Sequence, residues 1–186
     1  MKNPPLNWLT EGLTRAVSVG VATAGGVGFL PLAPGTFGAL VGVGLFVLLS
    51  GEGFFLYLCT TLVLGALGVW ASGQAEHFFG REDDGRIVID EVVGQLITFA
   101  PLVGVLGVER LPRASFFALV VTGFVAFRVF DIAKPGWIGK VEKNTHGGAG
   151  VMADDIAAGL MGALVVAAVA AAFALLASDP SAAVPQ

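Results

Sequence analysis

The chain has 186 residues, of which 55% are hydrophobic and only 13% charged, with a formal net charge of −4. Soluble domains carry about 25% charged residues, so the composition excludes an ordinary water-soluble globule and points to a single-domain integral membrane protein. The lack of any basic stripe argues against nucleic acid as a partner. The lone cysteine, Cys59, can form neither an internal disulfide nor a thiolate metal site.

Residues 6–21 read as an amphipathic helix lying on the membrane surface, with Trp8 as interfacial anchor. Ala22-Thr23-Ala24 has the small-x-small pattern of a signal-peptide cleavage site, but Glu11 and Arg15 break the apolar run upstream, and the segment is expected to stay in place. Five apolar segments follow, at Phe37–Ser50, Phe54–Ala75, Asp90–Leu106, Ala114–Ile132 and Ile156–Ala177. A span needs about 20 mostly apolar residues, which the second, fourth and fifth segments approach or exceed. The first is short, and the third contains Pro101, a predicted kink. Recurrent glycines in four of them (38, 42, 44; 65, 68, 73; 94, 104; 159, 162) predict close helix–helix approach. The expected fold is therefore an all-α membrane bundle of about five spans over residues 1–177, followed by a disordered tail at 178–186.

Five spans sort the connecting segments onto two sides. One side carries Lys2, Arg15, Arg81, Arg86, Lys134, Lys140 and Lys143; the other carries only Arg110 and Arg113. The excess of basic residues assigns the first side to the cytoplasm. Every polar motif falls on that same side.

Four motifs could carry chemistry. In Phe29-Leu-Pro-Leu-Ala-Pro-Gly-Thr36, Pro34 and Gly35 break the chain and Thr36 can cap the next helix. The free amides of that helix start can instead receive a phosphate. Asp90 and Glu91 open a helix with no neighbouring cation; one acid suffices as a cap, and two bordered by Val and Ile suggest oxygen ligands for Mg²⁺ or Mn²⁺. Arg128 and Asp131 share a helix face, either as a plain ion pair or, with Lys134 turned out of the helix by Pro135, as an anion clamp. His146 precedes a glycine-rich run ending in Asp154 and Asp155, which can cap a helix or bind a cation. His146 itself is open to three readings: general acid, phosphate ligand or ordinary loop histidine. Together the motifs offer carboxylates for a divalent cation and cations for a phosphoryl group, on one membrane face, which fits phosphoryl chemistry on a lipid-like substrate.

These residues resemble the phosphatidylglycerophosphatase A family of bacterial lipid phosphatases. The resemblance rests on Leu-Pro-x-x-Pro-Gly-Thr at 30–36, Ile-Val-x-Asp-Glu-x-x-Gly at 87–94, Phe-Arg-x-x-Asp-x-x-Lys-Pro at 127–135 and His-Gly-Gly-x-Gly-x-Met-x-Asp-Asp at 146–155. It departs from the family pattern at Gly136-Trp137-Ile138, where a further Pro is usual, and at Glu142-Lys143. The resemblance implies a Mg²⁺-dependent, multi-pass inner-membrane enzyme that converts phosphatidylglycerophosphate to phosphatidylglycerol and phosphate. On that reading Asp90, Glu91, Asp131, Asp154 and Asp155 form the oxygen shell for metal, and one of them could serve as general base. Gly35, Thr36, Arg128 and Lys134 hold phosphate oxygens, and His146 protonates the leaving group. Self-association into a homo-oligomer is left open. The rival class is a small transporter or channel subunit with a charged cytoplasmic mouth, against which stands the lack of charges at mid-span and of an internal repeat.

Overall fold

The computed structural model describes residues 7–106, 112–136 and 146–178. All regular structure among them is helical. The helices are α1 (Asn7–Ala22), α2 (Pro34–Leu49), α3 (Phe54–Phe79), α4 (Ile89–Pro101), α5 (Arg113–Ala133) and α6 (Gly147–Ser178), with a 3₁₀ turn at Val27–Phe29 and a π-helical turn at Leu102–Leu106. The π turn follows directly on Pro101, the last residue of α4, so the regular α ladder ends at the proline. Of these, α3, α5 and α6 are long and apolar enough to cross a membrane, while α2 is a shorter apolar helix. The expected tail from 179 onward and the departures at 137, 138, 142 and 143 lie outside the described residues.

The helices alternate in direction. The start of α2, the end of α3, the start of α4, the end of α5 and the start of α6 gather at one end of the bundle. Their approach there depends on glycine. A Cβ on Gly159 would meet the Gly94 carbonyl oxygen at 2.5 Å, and one on Gly94 would meet the Asp155 carbonyl oxygen at 2.7 Å, so α4 and α6 lie backbone to backbone. Thr98 reinforces that seam: its hydroxyl donates to the Gly94 carbonyl at 3.0 Å and also lies 3.3 Å from the Gly159 carbonyl. On the other side of α4, Gly38 and Gly42 of α2 sit against Val88, Val92 and Gln95. Such close packing gives dispersion and weak polar contacts their weight where the hydrophobic effect offers no force between helices.

The opposite end is aromatic. Phe46 of α2 stacks on Phe99 of α4 at 4.3 Å and on Phe116 of α5 at 5.9 Å, and meets Tyr57 of α3 edge-on at 6.3 Å. The Tyr57 hydroxyl donates to the Leu96 carbonyl at 2.5 Å, so its one polar group is satisfied within the bundle.

The surface helix expected at 6–21 is α1. It packs along the end of α3, with the Arg15 guanidinium 5.4 Å from the centre of the Phe78 ring. Leu13 and Val17, one turn apart, are exposed on its outer side, as a helix lying in a membrane interface requires. Ala22 and Thr23 of the small-x-small motif are buried, and the Ala22 carbonyl accepts the Val88 N–H at 2.8 Å. This bond ties the end of α1 to the residue just before α4.

Candidate active site

The loop before α4 is fastened at several points. Gly80 closes α3 in the left-handed region at φ 70°, where glycine carries no Cβ penalty. The Asp83 N–H donates to Glu76 Oε1 at 2.8 Å. The Arg86 guanidinium lies 3.8 Å from the centre of the Phe79 ring and donates to both Asp84 oxygens, at 2.6 and 2.8 Å. Those charge-assisted bonds hold the Asp84 carboxyl below the usual carboxylate range. Gly28 completes the arrangement, because any Cβ there would strike the Arg86 carbonyl. A fixed loop delivers Asp90 and Glu91 to the first turn of α4.

Those two acids turn into the bundle. Asp90, Glu91 and Asp155 each offer a carboxylate oxygen, and the three oxygens lie within 4.8 Å of one another. Asp90 is 8% exposed and Asp155 3%. Asp90 Oδ1 accepts the Glu91 N–H at 3.1 Å, but neither acid is the cap, since α4 starts at Ile89 with Val88 as N-cap and no side-chain cap bond. Glu91 Oε2 and Asp155 Oδ2, however, are buried with no hydrogen-bond partner among the described residues. Unpaired buried carboxylate oxygens are costly, and three such groups packed together repel unless a cation or protons intervene. Three carboxylates gathered in this way could hold a cation, and hard oxygen donors are the kind that divalent cations take.

The other predicted carboxylates are arranged differently. Arg128 Nη1 donates to Asp131 Oδ2 at 2.5 Å, and Lys134 Nζ lies 2.7 Å from Asp154 Oδ2. Asp131 still borders Asp155 and Glu91. The five acids thus divide into three that converge and two that hold the flanking cations. Asp154 and Asp155 show why: neighbours on a helix point about 100° apart, so only one of them can face α4. Lys134 adopts φ 42° as the C-cap of α5, which takes it out of the helix before Pro135 and swings it across to α6. Arg128 Nε is buried and has no hydrogen-bond partner among the described residues.

At the start of α2 the structure corrects one expectation. Thr36 is not the cap: the helix begins at Pro34, its N-cap is Ala33 in the left-handed region, and Thr36 sits in the first turn with its N–H donating to the Ala33 carbonyl at 2.9 Å. Proline suits the first helical position because its missing N–H has no partner to lose. Gly35 presses directly on the site. A Cβ there would strike Glu91 Oε1 and lie 3.4 Å from Arg128 Nη1. The positive end of α2 therefore abuts the acid cluster. His146 is exposed, directly ahead of α6, and makes no hydrogen bond or ion pair with a described residue. It stands about two helical turns, roughly 12 Å, before Asp154.

Gln95 was not anticipated. It lies one turn below Glu91 on α4, is fully buried, and neither its Oε1 nor its Nε2 has a partner among the described residues. A polar amide inside an apolar run, four residues after a buried acid, was the available signal.

Fold and site together define a helical membrane protein with an acidic, cation-flanked centre buried at one end of the bundle. A family model described as Phosphatidylglycerophosphatase A matches residues 20–170, and the chain belongs to that family and is a phosphatase. Among its relatives, a protein of Escherichia coli named phosphatidylglycerophosphatase A is 34% identical over 77% of this chain and 77% of its own length. One of the same name from Haemophilus influenzae is 33% identical over 80% of this chain and 86% of its own length. A Bacteroides thetaiotaomicron protein, provisionally named as a phosphatidylinositol-3-phosphatase, is 39% identical over 79% of this chain and 89% of its own length. No solved structure matches the chain.

Proposed function

We propose that the protein hydrolyses the terminal phosphomonoester of phosphatidylglycerophosphate, giving phosphatidylglycerol and phosphate, in a Mg²⁺-dependent reaction at the cytoplasmic face of the bacterial inner membrane. The observation that carries the reading is the convergence of Asp90, Glu91 and Asp155 from two helices, with oxygens of the last two buried and unpartnered. The names of the E. coli and H. influenzae relatives supply the substrate.

Asp90, Glu91 and Asp155 would hold the cation, with Asp131 and Asp154 beside them. When bound, Mg²⁺ supplies Lewis-acid polarisation and charge neutralisation at the phosphoryl group. Arg128 and Lys134 bind the phosphate oxygens, each already aimed by a carboxylate. The first turn of α2, at Gly35 and Thr36, adds the positive end of a helix. These groups stabilise the charge that spreads over the phosphoryl oxygens in the transition state. Water is the nucleophile; its oxygen bonds to phosphorus, the bond from phosphorus to the glycerol oxygen breaks, and a site carboxylate takes the water proton. His146 gives a proton to the departing oxygen when substrate brings the start of α6 within reach.

The cytoplasmic assignment is supported by the arrangement of charge. Arg15, Arg81, Arg86 and Lys134 all lie at the end of the bundle that holds the acids, and Arg113 lies at the opposite end. That arrangement assumes that α2 and the α4–π segment also cross the membrane, as the short members of five spans.

The test is phosphate release by the purified protein from phosphatidylglycerophosphate in mixed micelles, with Mg²⁺ or with EDTA. Phosphatidylinositol 3-phosphate belongs in the same assay because of the name carried by the B. thetaiotaomicron relative. Release that requires Mg²⁺ supports the reading. Absence of metal-dependent release from every lipid phosphomonoester would remove it.

A further inference from the structure

A groove of about 420 Å³ runs between α3, α4 and α6. Its walls include Tyr57, Gly65 and Val69 of α3, Val93 and Ala100 of α4, and Ile156 of α6. The lining is almost wholly apolar. Its two hydroxyls are already committed: Tyr57 donates to the Leu96 carbonyl, and Thr61 to the Tyr57 carbonyl at 2.9 Å. Water gains nothing in such a space, since it needs two to four polar partners. The occupant must be apolar, and for two walls formed by helices able to cross a membrane the apolar material at hand is lipid.

Which part of which lipid follows from where the groove begins and ends. Its upper end adjoins the acid cluster: Ile156 follows Asp155, and Val93 lies one turn below Asp90. Its lower end is marked by Tyr57 and Ala100, just before the π turn. From Val69 to Tyr57 the groove follows α3 for about 18 Å, close to the roughly 15 Å of hydrocarbon in one leaflet. We infer that this groove is an acyl-chain subsite, holding one fatty chain of the lipid whose phosphate lies at the acid cluster. The inference rests on the reading of the substrate as a membrane lipid. It gives the enzyme a second point of hold on its substrate, along the chain rather than at the headgroup. Leu62 and Ala66 are exposed along the groove's open side, so the chain can enter sideways from the bilayer without the bundle parting.

The test fills the groove without touching the acids. Ala66→Phe places a ring into it from an exposed position, and Gly65→Leu, where a Cβ finds its nearest neighbour 3.8 Å away at Val93, is the second variant. Turnover is measured on dioleoyl and dihexanoyl phosphatidylglycerophosphate. Loss of about two buried methylenes corresponds to a KM at least about tenfold higher for the dioleoyl substrate, with a clearly smaller rise for the dihexanoyl substrate, whose chains fill only the upper end of the groove. Equal effects on both substrates, or no effect on either, would overturn the subsite. A binding readout stands apart from catalysis: the full-length protein in nanodiscs is labelled with phosphatidylglycerol carrying a mid-chain diazirine. The label is expected on the α3 segment 58–69 and is expected to fall in Ala66→Phe. Equal labelling by a phosphatidylcholine with the same chains would mark ordinary annular lipid and overturn the proposal. If the wild type hydrolyses neither ester, the phosphatase substrate is wrong, while the labelling still reports whether the groove takes a chain.

Discussion

The two ends of the bundle are built by opposite rules. At one end Phe46, Phe99, Phe116 and Tyr57 interlock, with each ring stacked or edge-on to another and the single hydroxyl paired. At the other, Asp90, Glu91 and Asp155 crowd together, with one oxygen each of Glu91 and Asp155 buried and unpartnered among the described residues. The same helices pass through both. An end that satisfies every group serves stability; an end that leaves charged oxygens facing one another sacrifices stability for binding. Substitutions should therefore separate the two, with activity lost at one end and stability at the other.

The largest effect is expected at the acids. Glu91→Gln or Asp155→Asn should lower kcat by about 10²–10³-fold or more, while Tm, followed by thermal unfolding in detergent, stays equal or rises because a crowded charge has gone. A fall in Tm with turnover near normal would reverse the assignment of the two ends. At the aromatic end, Phe99→Ala removes a fully buried ring and should cost about 3–5 kcal/mol of stability, with turnover per folded molecule little changed. Gly35→Ala probes the junction between α2 and the acids. Its methyl would displace only the far end of the flexible Glu91 side chain. It should thus reduce activity by about tenfold or more, less than loss of the carboxylate itself, with little change in Tm. The smallest effect belongs to the loop. The Arg86 guanidinium holds Asp84 below its ordinary titration range, so Asp84 adds stability above the unfolded-state carboxylate value, near pH 4. That contribution is lost as pH falls through the folded-state value. Asp84→Asn should therefore lower Tm slightly at pH 7, and the difference should vanish in acid. Exposure of the Arg86 side keeps the effect small.

Helix positions are more legible in this sequence than the contacts between helices. The apolar segments beginning at Phe37, Phe54, Asp90, Ala114 and Ile156 start within α2 through α6, because long apolar runs leave the chain few alternatives in lipid, but α6 opens at Gly147, so the glycine-rich run is helical and Asp154 and Asp155 lie inside the helix rather than at its cap. Pro101 announced the break in α4, and Pro135 the departure of Lys134 from α5. That all four motifs meet at one end also followed from alternation of the spans. The division of labour among the five acids was not legible. Whether Asp131 meets Arg128 alone or joins the trio depends on how α5 is rotated against α6, and no residue pattern states that angle. Thr36 looked like a cap because Thr favours that position, but Pro34 already fits the first helical turn and moved the start of α2 two residues earlier. Gln95 carries no charge to set it apart in the sequence, yet a buried amide with both ends unpartnered among the described residues marks the polar region as clearly as an acid does.

Cation binding can be observed without turnover, by the electron paramagnetic resonance of Mn²⁺ titrated into the purified protein at neutral pH, with Mg²⁺ as competitor. The wild type should take up Mn²⁺ that Mg²⁺ displaces, and the Glu91→Gln/Asp155→Asn double variant should take up none at the same concentrations. Binding of equal strength in both proteins, or none in the wild type, would contradict the assignment of the carboxylate cluster as the cation site.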